Sequence, residues 1–229
     1  MLRAQRGNGV SITTVLFDLD GTLADTAPDL AYALNRTLEL HGRAPLSFDA
    51  IRPVVSHGGR ALIELGFGYT PEHPDYETIR QQLLQVYLEN IARMTTLFPG
   101  MEELLVTLES SGFKWGVVTN KPGWLTNPLM NALNLTKRAA TIVSSDTTAK
   151  AKPHPEPMLY ACTESGSDAA HCIYVGDAER DIIAGRAAGM RTVVALFGYI
   201  GTQDQPMAWG ADALITQPME LMDWLGKWG

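Results

Sequence analysis

The amino-acid sequence predicts an α/β fold: a doubly wound, Rossmann-like parallel sheet with an all-helical segment inserted after the first strand. Short apolar runs, continuous enough for strands buried on both faces, alternate along the chain with helical patterns. This alternation implies parallel strands joined by right-handed crossovers. The interval 27–95 departs from it, because it contains helical patterns and no convincing strand. We therefore expect residues 1–26 and 96–229 to form a core and residues 27–95 a helical cap over the sheet.

Five apolar runs mark the predicted strands. In chain order they span residues 12–17, 115–119, 141–143, 172–175 and 192–196. The predicted helices carry apolar stripes at helical spacing, and most are bounded by proline or glycine. They span residues 29–40, 76–94, 101–110 and 181–188, and a glycine-rich joint at residues 56–60 precedes a further short helix.

Composition and charge limit the classes of function. The 229-residue chain has a formal net charge of −7 and no run of Lys or Arg that could follow a phosphate backbone, which argues against nucleic acid as a partner. No stretch approaches the roughly 20 apolar residues of a membrane span. Cys162 and Cys172, the only cysteines, are expected to be reduced thiols in a cytoplasmic protein. The polar segment 1–9 lacks the apolar run of a signal peptide and is expected to fray.

Two carboxylates directly follow the first apolar run. Asp18 and Asp20 lie two residues apart in the sequence Asp-Leu-Asp-Gly-Thr, so on a strand end their side chains point the same way. Open α/β sheets build their binding sites at the carboxyl ends of their strands. Mg²⁺, which prefers oxygen ligands, is the cation expected to neutralise such a pair. The alternative is an ordinary Asp-Gly turn after a strand.

Polar groups also follow the later predicted strands. Thr119 and Asn120 supply a hydroxyl and an amide suited to binding phosphate oxygens. Lys152 precedes a proline-rich loop, in which it can act as a fixed positive charge. Asp177 ends another strand, and Asp181 falls in the first turn of the helix that follows.

Each of these groups has a structural alternative. Thr119 and Asp177 could cap the segments after them, Lys152 could be a solvated lysine, and Asp181 could pair with Arg180 or Arg186. Complementary groups at four strand ends nevertheless favour one shared site.

The order of these motifs resembles that of the haloacid dehalogenase superfamily of hydrolases, and the resemblance covers nearly all of the chain. The four motifs are Asp18-x-Asp20-Gly21-Thr22, Thr119-Asn120, Lys152-Pro153 and Gly176-Asp177-x-x-x-Asp181. The helical insert resembles the C1 cap of that superfamily. The Val-Thr-Asn-Lys-Pro run at 118–122 and the Lys-Pro-His-Pro run at 152–155 further resemble the phosphoglycolate phosphatase group. Residues 197–200 and 209–212 are similar to stretches of bacterial N-acetylmuramic acid 6-phosphate phosphatases.

The resemblance implies a two-step phosphoryl transfer. Asp18 would attack phosphorus and form an aspartyl-phosphate, while Asp20 would protonate the leaving group and then activate the hydrolytic water. Mg²⁺ would be held by Asp18, the main-chain carbonyl of Asp20 and Asp177. Thr119 and Lys152 would stabilise the phosphoryl oxygens.

Further residues are expected to support this chemistry. Asn120 would bind the phosphate beside Thr119, and Asp181 would position Lys152 or a metal-bound water. Arg60, which follows two glycines in the cap, is expected to bind a carboxylate on the leaving group, with a plain surface arginine as the alternative. Four aromatic residues could wall the site or belong to the core: Phe67, Tyr69, Trp124 and Tyr199.

The resulting prediction is a Mg²⁺-dependent phosphomonoesterase acting on a small phosphorylated metabolite, with 2-phosphoglycolate as the preferred substrate and N-acetylmuramic acid 6-phosphate as the alternative. A sugar-phosphate mutase of the same fold is a further alternative, because it shares the nucleophile, acid and metal. Asp20 and Asp177 disfavour a dehalogenase, and the absence of lysine from residues 27–95 disfavours a phosphonatase. A regulatory protein is disfavoured because every chemical position is filled. The sequence predicts no oligomeric state.

Overall fold

The computed structural model describes residues 11–228, so the prediction that segment 1–9 frays lies outside the described residues. Within the described range the chain forms eight strands. In chain order these are β1 (Thr14–Phe17), β2 (Ala24–Asp25), β3 (Thr96–Leu97), β4 (Lys114–Val118), β5 (Ile142–Val143), β6 (Cys172–Gly176), β7 (Arg191–Ala195) and β8 (Ala213–Ile215).

Six of the strands form one parallel sheet in the order β5-β4-β1-β6-β7-β8. Strand β1 lies near the middle, between β4 and β6, and is buried over its whole length. Because successive side chains on a strand alternate, Val15 and Phe17 pack into a larger apolar cluster, while Leu16 packs into a second one. The predicted doubly wound α/β class is confirmed.

Nine helices accompany the sheet within residues 11–228. They are α1 (Ala27–Leu40), α2 (Phe48–Ile51), α3 (Gly58–Phe67), α4 (Tyr76–Glu89), α5 (Met101–Ser110), α6 (Gly123–Ala132), α7 (Glu156–Ser165), α8 (Glu179–Ala187) and α9 (Glu220–Trp228). All five predicted strands and all five predicted helices are present in part or in full. The sequence patterns did not predict β2, β3, β8, α2, α6, α7 or α9.

Residues 27–95 contain four of the helices and no strand. Helices α1 and α3 pack closely at Gly66, where an added Cβ would lie 2.9 Å from Cδ1 of Leu34. Helix α4 ends at Glu89 rather than at the predicted residue 94. After it, the backbone N–H groups of Met94 and Thr95 donate to the buried carboxylate of Asp29 on α1, at 3.0 and 2.8 Å, instead of to helical carbonyls.

A two-stranded antiparallel ladder joins the two ends of this helical segment to the rest of the chain. Ala24 on β2 pairs with Leu97 on β3, and Asp25 pairs with Thr96. The chain therefore enters and leaves the helical segment side by side. Among the described residues, no helix has the length and apolar character that crossing a membrane requires.

Candidate active site

The polar residues predicted at the strand ends converge because their strands are neighbours. Asp18 directly follows β1, and its backbone N–H donates to the carbonyl of Val175 on β6 at 2.9 Å. Thr119 follows β4 in the same way, and its N–H donates to the carbonyl of Val143 on β5 at 2.9 Å. Asp177 follows β6. Ladder hydrogen bonds thus continue into the residues that carry the functional side chains.

A buried ionic cluster lies at this edge of the sheet. Asp18, Asp177 and Asp181 each offer a carboxylate oxygen, and the three oxygens lie within 4.8 Å of one another. The Nζ atom of Lys152 lies 3.0 Å from Oδ1 of Asp18 and 2.8 Å from Oδ1 of Asp181. The same ammonium donates to the hydroxyl of Tyr174 at 2.8 Å, and its side chain is 0% exposed. Lys152 is therefore a fixed cation within a surplus of carboxylates.

Burial and the neighbouring charges both shift the pKa values of two of the clustered carboxyls, Asp18 and Asp177. Burial raises the pKa of the Asp18 carboxyl, and the adjacent Lys152 ammonium offsets this effect only in part. Burial, together with the charges of Asp18 and Asp181, raises the pKa of Asp177 to about 7. Another cation would relieve this repulsion.

The carboxylate oxygens gathered around Asp177 fit a hard divalent cation, and hydrogen bonds hold the Asp177 carboxylate in place. Its Oδ2 accepts hydrogen bonds from the hydroxyl of Ser56 at 2.6 Å and from the N–H of Tyr199 at 3.0 Å, and its Oδ1 accepts one from Thr22 at 3.0 Å. Gly21 has a φ of +85°, and an added Cβ there would overlap the Asp177 carboxylate. Clustered carboxylate oxygens with close backbone approach are what such a cation requires. The carbonyl of Asp20 as a further ligand stays a prediction.

The side chain of Asp20 lies apart from the three clustered carboxylates. Its Oδ1 accepts a hydrogen bond from the hydroxyl of Thr26 at 2.6 Å and lies 2.8 Å from Nζ of Lys121. Burial alone would lower the pKa of Lys121, but Asp20 and Tyr87 together outweigh this effect and the pKa is raised. Asp20 nevertheless lines the same cavity as Asp18. A group that transfers a proton to a leaving oxygen must lie within reach of that oxygen in the cavity.

The two polar residues after β4 have different surroundings. The hydroxyl of Thr119 accepts a hydrogen bond from the N–H of Lys121 at 3.1 Å and lines the cavity. Both ends of the Asn120 amide instead bind the backbone of Lys152: Nδ2 donates to its carbonyl at 2.9 Å, and Oδ1 accepts from its N–H at 3.0 Å. The Asn120 side chain thus fixes the Lys152 loop, and direct phosphate binding by its amide stays a prediction.

A cavity of about 610 Å³ opens between these strand ends and the helical segment. Arg60 on α3 lies in its wall, and no carboxylate of residues 11–228 lies within 4.0 Å of its guanidinium. Binding of a substrate carboxylate by Arg60 stays a prediction. Arg80 on α4 also lines the cavity but is paired with Glu77 at 2.8 Å. The aromatic side chains in the wall are Tyr76 and Tyr87, rather than Phe67, Tyr69, Trp124 or Tyr199.

Sequence reasoning assigned no role at the site to Lys121, Ser56 or Arg180. The Nη2 atom of Arg180 lies 3.9 Å from Oδ2 of Asp18 and donates to the carbonyl of Ser56 at 2.7 Å. Arg180 had been considered only as an ion-pair partner of Asp181. Adjacency in the sequence could have indicated both cations, because Lys121 directly follows Asn120 and Arg180 directly precedes Asp181.

The comparisons with known proteins agree with the geometry. Residues 15–195 match the family model described as haloacid dehalogenase-like hydrolase. The chain is 40% identical over 216 residues to an N-acetylmuramic acid 6-phosphate phosphatase of Pseudomonas aeruginosa, covering 94% of this chain and 96% of the relative. It is 42% identical over 209 residues to a phosphoglycolate phosphatase of Xanthomonas campestris, covering 91% and 94%. A predicted phosphoglycolate phosphatase from Haemophilus somnus has the same fold, with a TM-score of 0.83 at 24% identity over 93% of this chain and 97% of that one.

Proposed function

Since this chain belongs to the haloacid dehalogenase-like hydrolase family, we propose that it is a Mg²⁺-dependent phosphomonoesterase that hydrolyses a small phosphorylated metabolite. The observation that carries this proposal is the buried cluster of Asp18, Asp177 and Asp181 around Lys152. It places the Asp18 carboxylate at the wall of a cavity, next to the Lys152 ammonium, a cation that can hold an anionic group. Phosphoryl transfer depends mainly on such positioning and charge stabilisation.

The contacts of Asp18 assign roles to its two oxygens. Oδ1 accepts the N–H of Leu19 at 2.7 Å and lies beside Lys152, whereas within residues 11–228 Oδ2 has only the more distant Arg180, at 3.9 Å, so we assign the attack on phosphorus to Oδ2. The new bond gives an aspartyl-phosphate while the bond to the leaving oxygen breaks, and Asp20 supplies the proton to that oxygen. Asp20 then takes a proton from the water that hydrolyses the intermediate.

The phosphoryl oxygens would be held by Thr119 and Lys152. Because the Thr119 oxygen already accepts from the Lys121 amide, its own O–H remains available to donate to phosphate. Mg²⁺, when bound by Asp18, Asp177 and the Asp20 carbonyl, would neutralise charge between the nucleophile and the phosphate.

We further propose that residues 27–95 act as a cap over a core formed by residues 1–26 and 96–229. The joint before α3 contacts the catalytic edge directly, since the hydroxyl of Ser56 donates to Asp177 and its carbonyl accepts from Arg180. The cap therefore forms the wall of the cavity that faces the leaving group. Closure of such a wall excludes bulk water from the reacting groups.

The names of the relatives indicate two substrates, 2-phosphoglycolate and N-acetylmuramic acid 6-phosphate. Each of them combines a phosphate with a carboxylate. The cavity volume of about 610 Å³ supports the amino-sugar phosphate as a second candidate, because pockets of ~300–1,000 Å³ hold drug-sized ligands. A two-carbon acid would fill only a small part of that space. The volume thus supports the bulkier substrate as a second candidate beside the one that the sequence motifs favoured.

Phosphate release tests the proposed function. The protein with Mg²⁺ is offered 2-phosphoglycolate and N-acetylmuramic acid 6-phosphate separately, and inorganic phosphate and organic products are both quantified. We expect stoichiometric phosphate and alcohol from at least one substrate. Isomerised sugar phosphate with little free phosphate would instead identify a mutase, and no turnover of either compound would contradict both substrate proposals.

Mg²⁺ is expected to stabilise the protein more at about pH 8 than at about pH 5.5. Between pH 3.8 and about 7 the metal-free folded protein keeps a proton on Asp177 that the unfolded chain has released, so its stability falls as the pH rises through this window. Mg²⁺ must displace that proton at low pH and meets an ionised carboxylate at high pH. The Tm is measured with Mg²⁺ and with EDTA at both pH values. An equal Mg²⁺ effect at both, or an undiminished one in Asp177→Asn, would contradict this assignment.

Replacing Arg60 with Ala is expected to lower kcat/KM for a carboxylate-bearing substrate by about 10–100-fold, the value of a hydrogen bond to a charged group. Its effect on p-nitrophenyl phosphate, which has no carboxylate, should be within about twofold. The matched control is Arg36→Ala, because Arg36 is exposed on α1 and paired with Glu39. Equal losses on both substrates would show that Arg60 supports the fold of the cap and not recognition of a carboxylate.

A further inference from the structure

We propose that Lys121 is a positioning residue for the acid–base carboxyl of Asp20, acting from a buried contact between the core and helix α4. The inference rests on the proposed function, because it assigns an additional residue to the same reaction. It starts from a contact that joins two residues 101 positions apart in the chain.

The carboxyl of Asp20 is held through only one of its two oxygens. Nζ of Lys121 lies 2.8 Å from Oδ1, and the hydroxyl of Thr26 donates to the same oxygen at 2.6 Å. Within residues 11–228, the side-chain hydrogen bonds to this carboxyl all fall on Oδ1. The other oxygen, Oδ2, is consequently left for the leaving group. Two donors on one oxygen fix the rotation of the carboxyl as well as its position.

The side chain of Lys121 is itself held in place by a residue of the helical segment. Its Nζ lies 4.4 Å from the centroid of the Tyr87 ring on α4, a distance typical of a cation–π contact. The Lys121 side chain is only 6% exposed, and Tyr87 is fully buried. A buried ammonium is stable only when it is paired and well packed.

The contact has a chemical consequence at the leaving oxygen. As Asp20 gives its proton to that oxygen, negative charge develops on the carboxyl, and the adjacent ammonium stabilises it without moving. An alkoxide leaves poorly unless it is protonated, whereas p-nitrophenolate leaves without a proton. Loss of the positioning contact should therefore slow the hydrolysis of alkyl phosphates far more than that of p-nitrophenyl phosphate.

The test compares first-turnover rates of Lys121→Met and the unaltered protein, both saturated with Mg²⁺. The alkyl substrate is whichever of 2-phosphoglycolate and N-acetylmuramic acid 6-phosphate is hydrolysed faster, and the aryl substrate is p-nitrophenyl phosphate. We expect alcohol release to fall by at least about 10²-fold, the lower end of a general acid's contribution, and nitrophenol release to fall by less than about tenfold. Equal losses on the two substrates would overturn the proposal.

Two further variants show whether Lys121 acts through Asp20. In an Asp20→Asn background, Lys121→Met should add less than about threefold to the loss on the alkyl phosphate, because residues that act as a unit are not additive. Lys121→Arg, which keeps the cation, should recover most of the selective loss. A full effect of Lys121→Met in the Asp20→Asn background would overturn the proposal.

The controls separate this inference from the proposed function. Lys137→Met replaces an exposed lysine and should change neither rate. If Lys121→Met does not fold, Lys121→Gln provides the same comparison with a polar side chain of similar length. No phosphate release by the unaltered protein would contradict the proposed function, whereas normal release with no leaving-group dependence in the variants would contradict only the role of Lys121.

Discussion

Asp18→Asn is expected to abolish phosphate release, with kcat reduced by at least about 10⁴-fold, because Asp18 is the group proposed to form the covalent intermediate. An amide is a poor nucleophile, although it has nearly the size and shape of the carboxylate that it replaces. The fold should survive the change. Burial raises the pKa of Asp18, so the folded protein disfavours its charge, and a neutral side chain should leave the Tm equal or higher.

Rapid quenching tests this result directly. The unaltered protein, mixed with substrate and quenched in acid, should carry a covalent phosphate on the peptide that contains Asp18, and Asp18→Asn should carry none. Asp204→Asn is the matched control, because Asp204 lies in the loop near Asp177 and, among residues 11–228, its carboxylate accepts a hydrogen bond only from the N–H of Gly201. Its kcat should change by less than about twofold. Covalent phosphate at another residue would contradict Asp18 as the nucleophile.

Lys152→Met is expected to damage both stability and activity. Lys152 lies fully buried between the carboxylates of Asp18 and Asp181, and methionine would leave Asp181 without this ammonium and Asp18 with only Arg180, at 3.9 Å. Removing one partner from a buried ion pair costs about 3–5 kcal/mol. For a domain of this size that cost lowers the Tm by roughly 6–20 °C. Because Lys152 is proposed to hold a phosphoryl oxygen, loss of its charge should also reduce kcat by at least about 10²-fold.

Lys150→Met provides the control for Lys152→Met, since Lys150 is exposed and lies two residues earlier in the same loop. Its Tm and kcat should match those of the unaltered protein. Thermal unfolding and phosphate release are measured for both variants under the same conditions. A Lys152→Met protein as stable as the control would mean that the carboxylates do not depend on this ammonium.

The site residues that could be predicted from the sequence are those that follow strands. A buried parallel sheet aligns the ends of its strands, so the residues after β1, β4 and β6 had to meet, and Asp18, Thr119 and Asp177 do. The strands themselves were visible because each is a run of apolar residues. Strand β8 spans only three residues at the edge of the sheet, which is too short for a periodic signal.

The contacts that join distant segments could not be predicted in this way. The hydroxyl of Ser56 meets Asp177 across 121 positions, and Lys121 meets Asp20 across 101. Both depend on how the helical segment and the loop after β4 pack against the sheet, and no local pattern encodes that packing. Helix α6 was missed for a local reason, because it contains Pro128, a residue that ordinarily interrupts a helix.

The short ladder between β2 and β3 bears on how proteins of this architecture diversify. Because Ala24 faces Leu97 across it, the two crossings into and out of the helical segment lie about 5 Å apart. A segment whose ends nearly touch can be exchanged for another of different length without stretching the chain on either side. Recombination could therefore replace the proposed cap, provided that the incoming segment again supplied the contacts that Ser56 and Tyr87 make with the catalytic edge. The four residues of this ladder are therefore the positions at which an exchanged segment would have to join the rest of the chain.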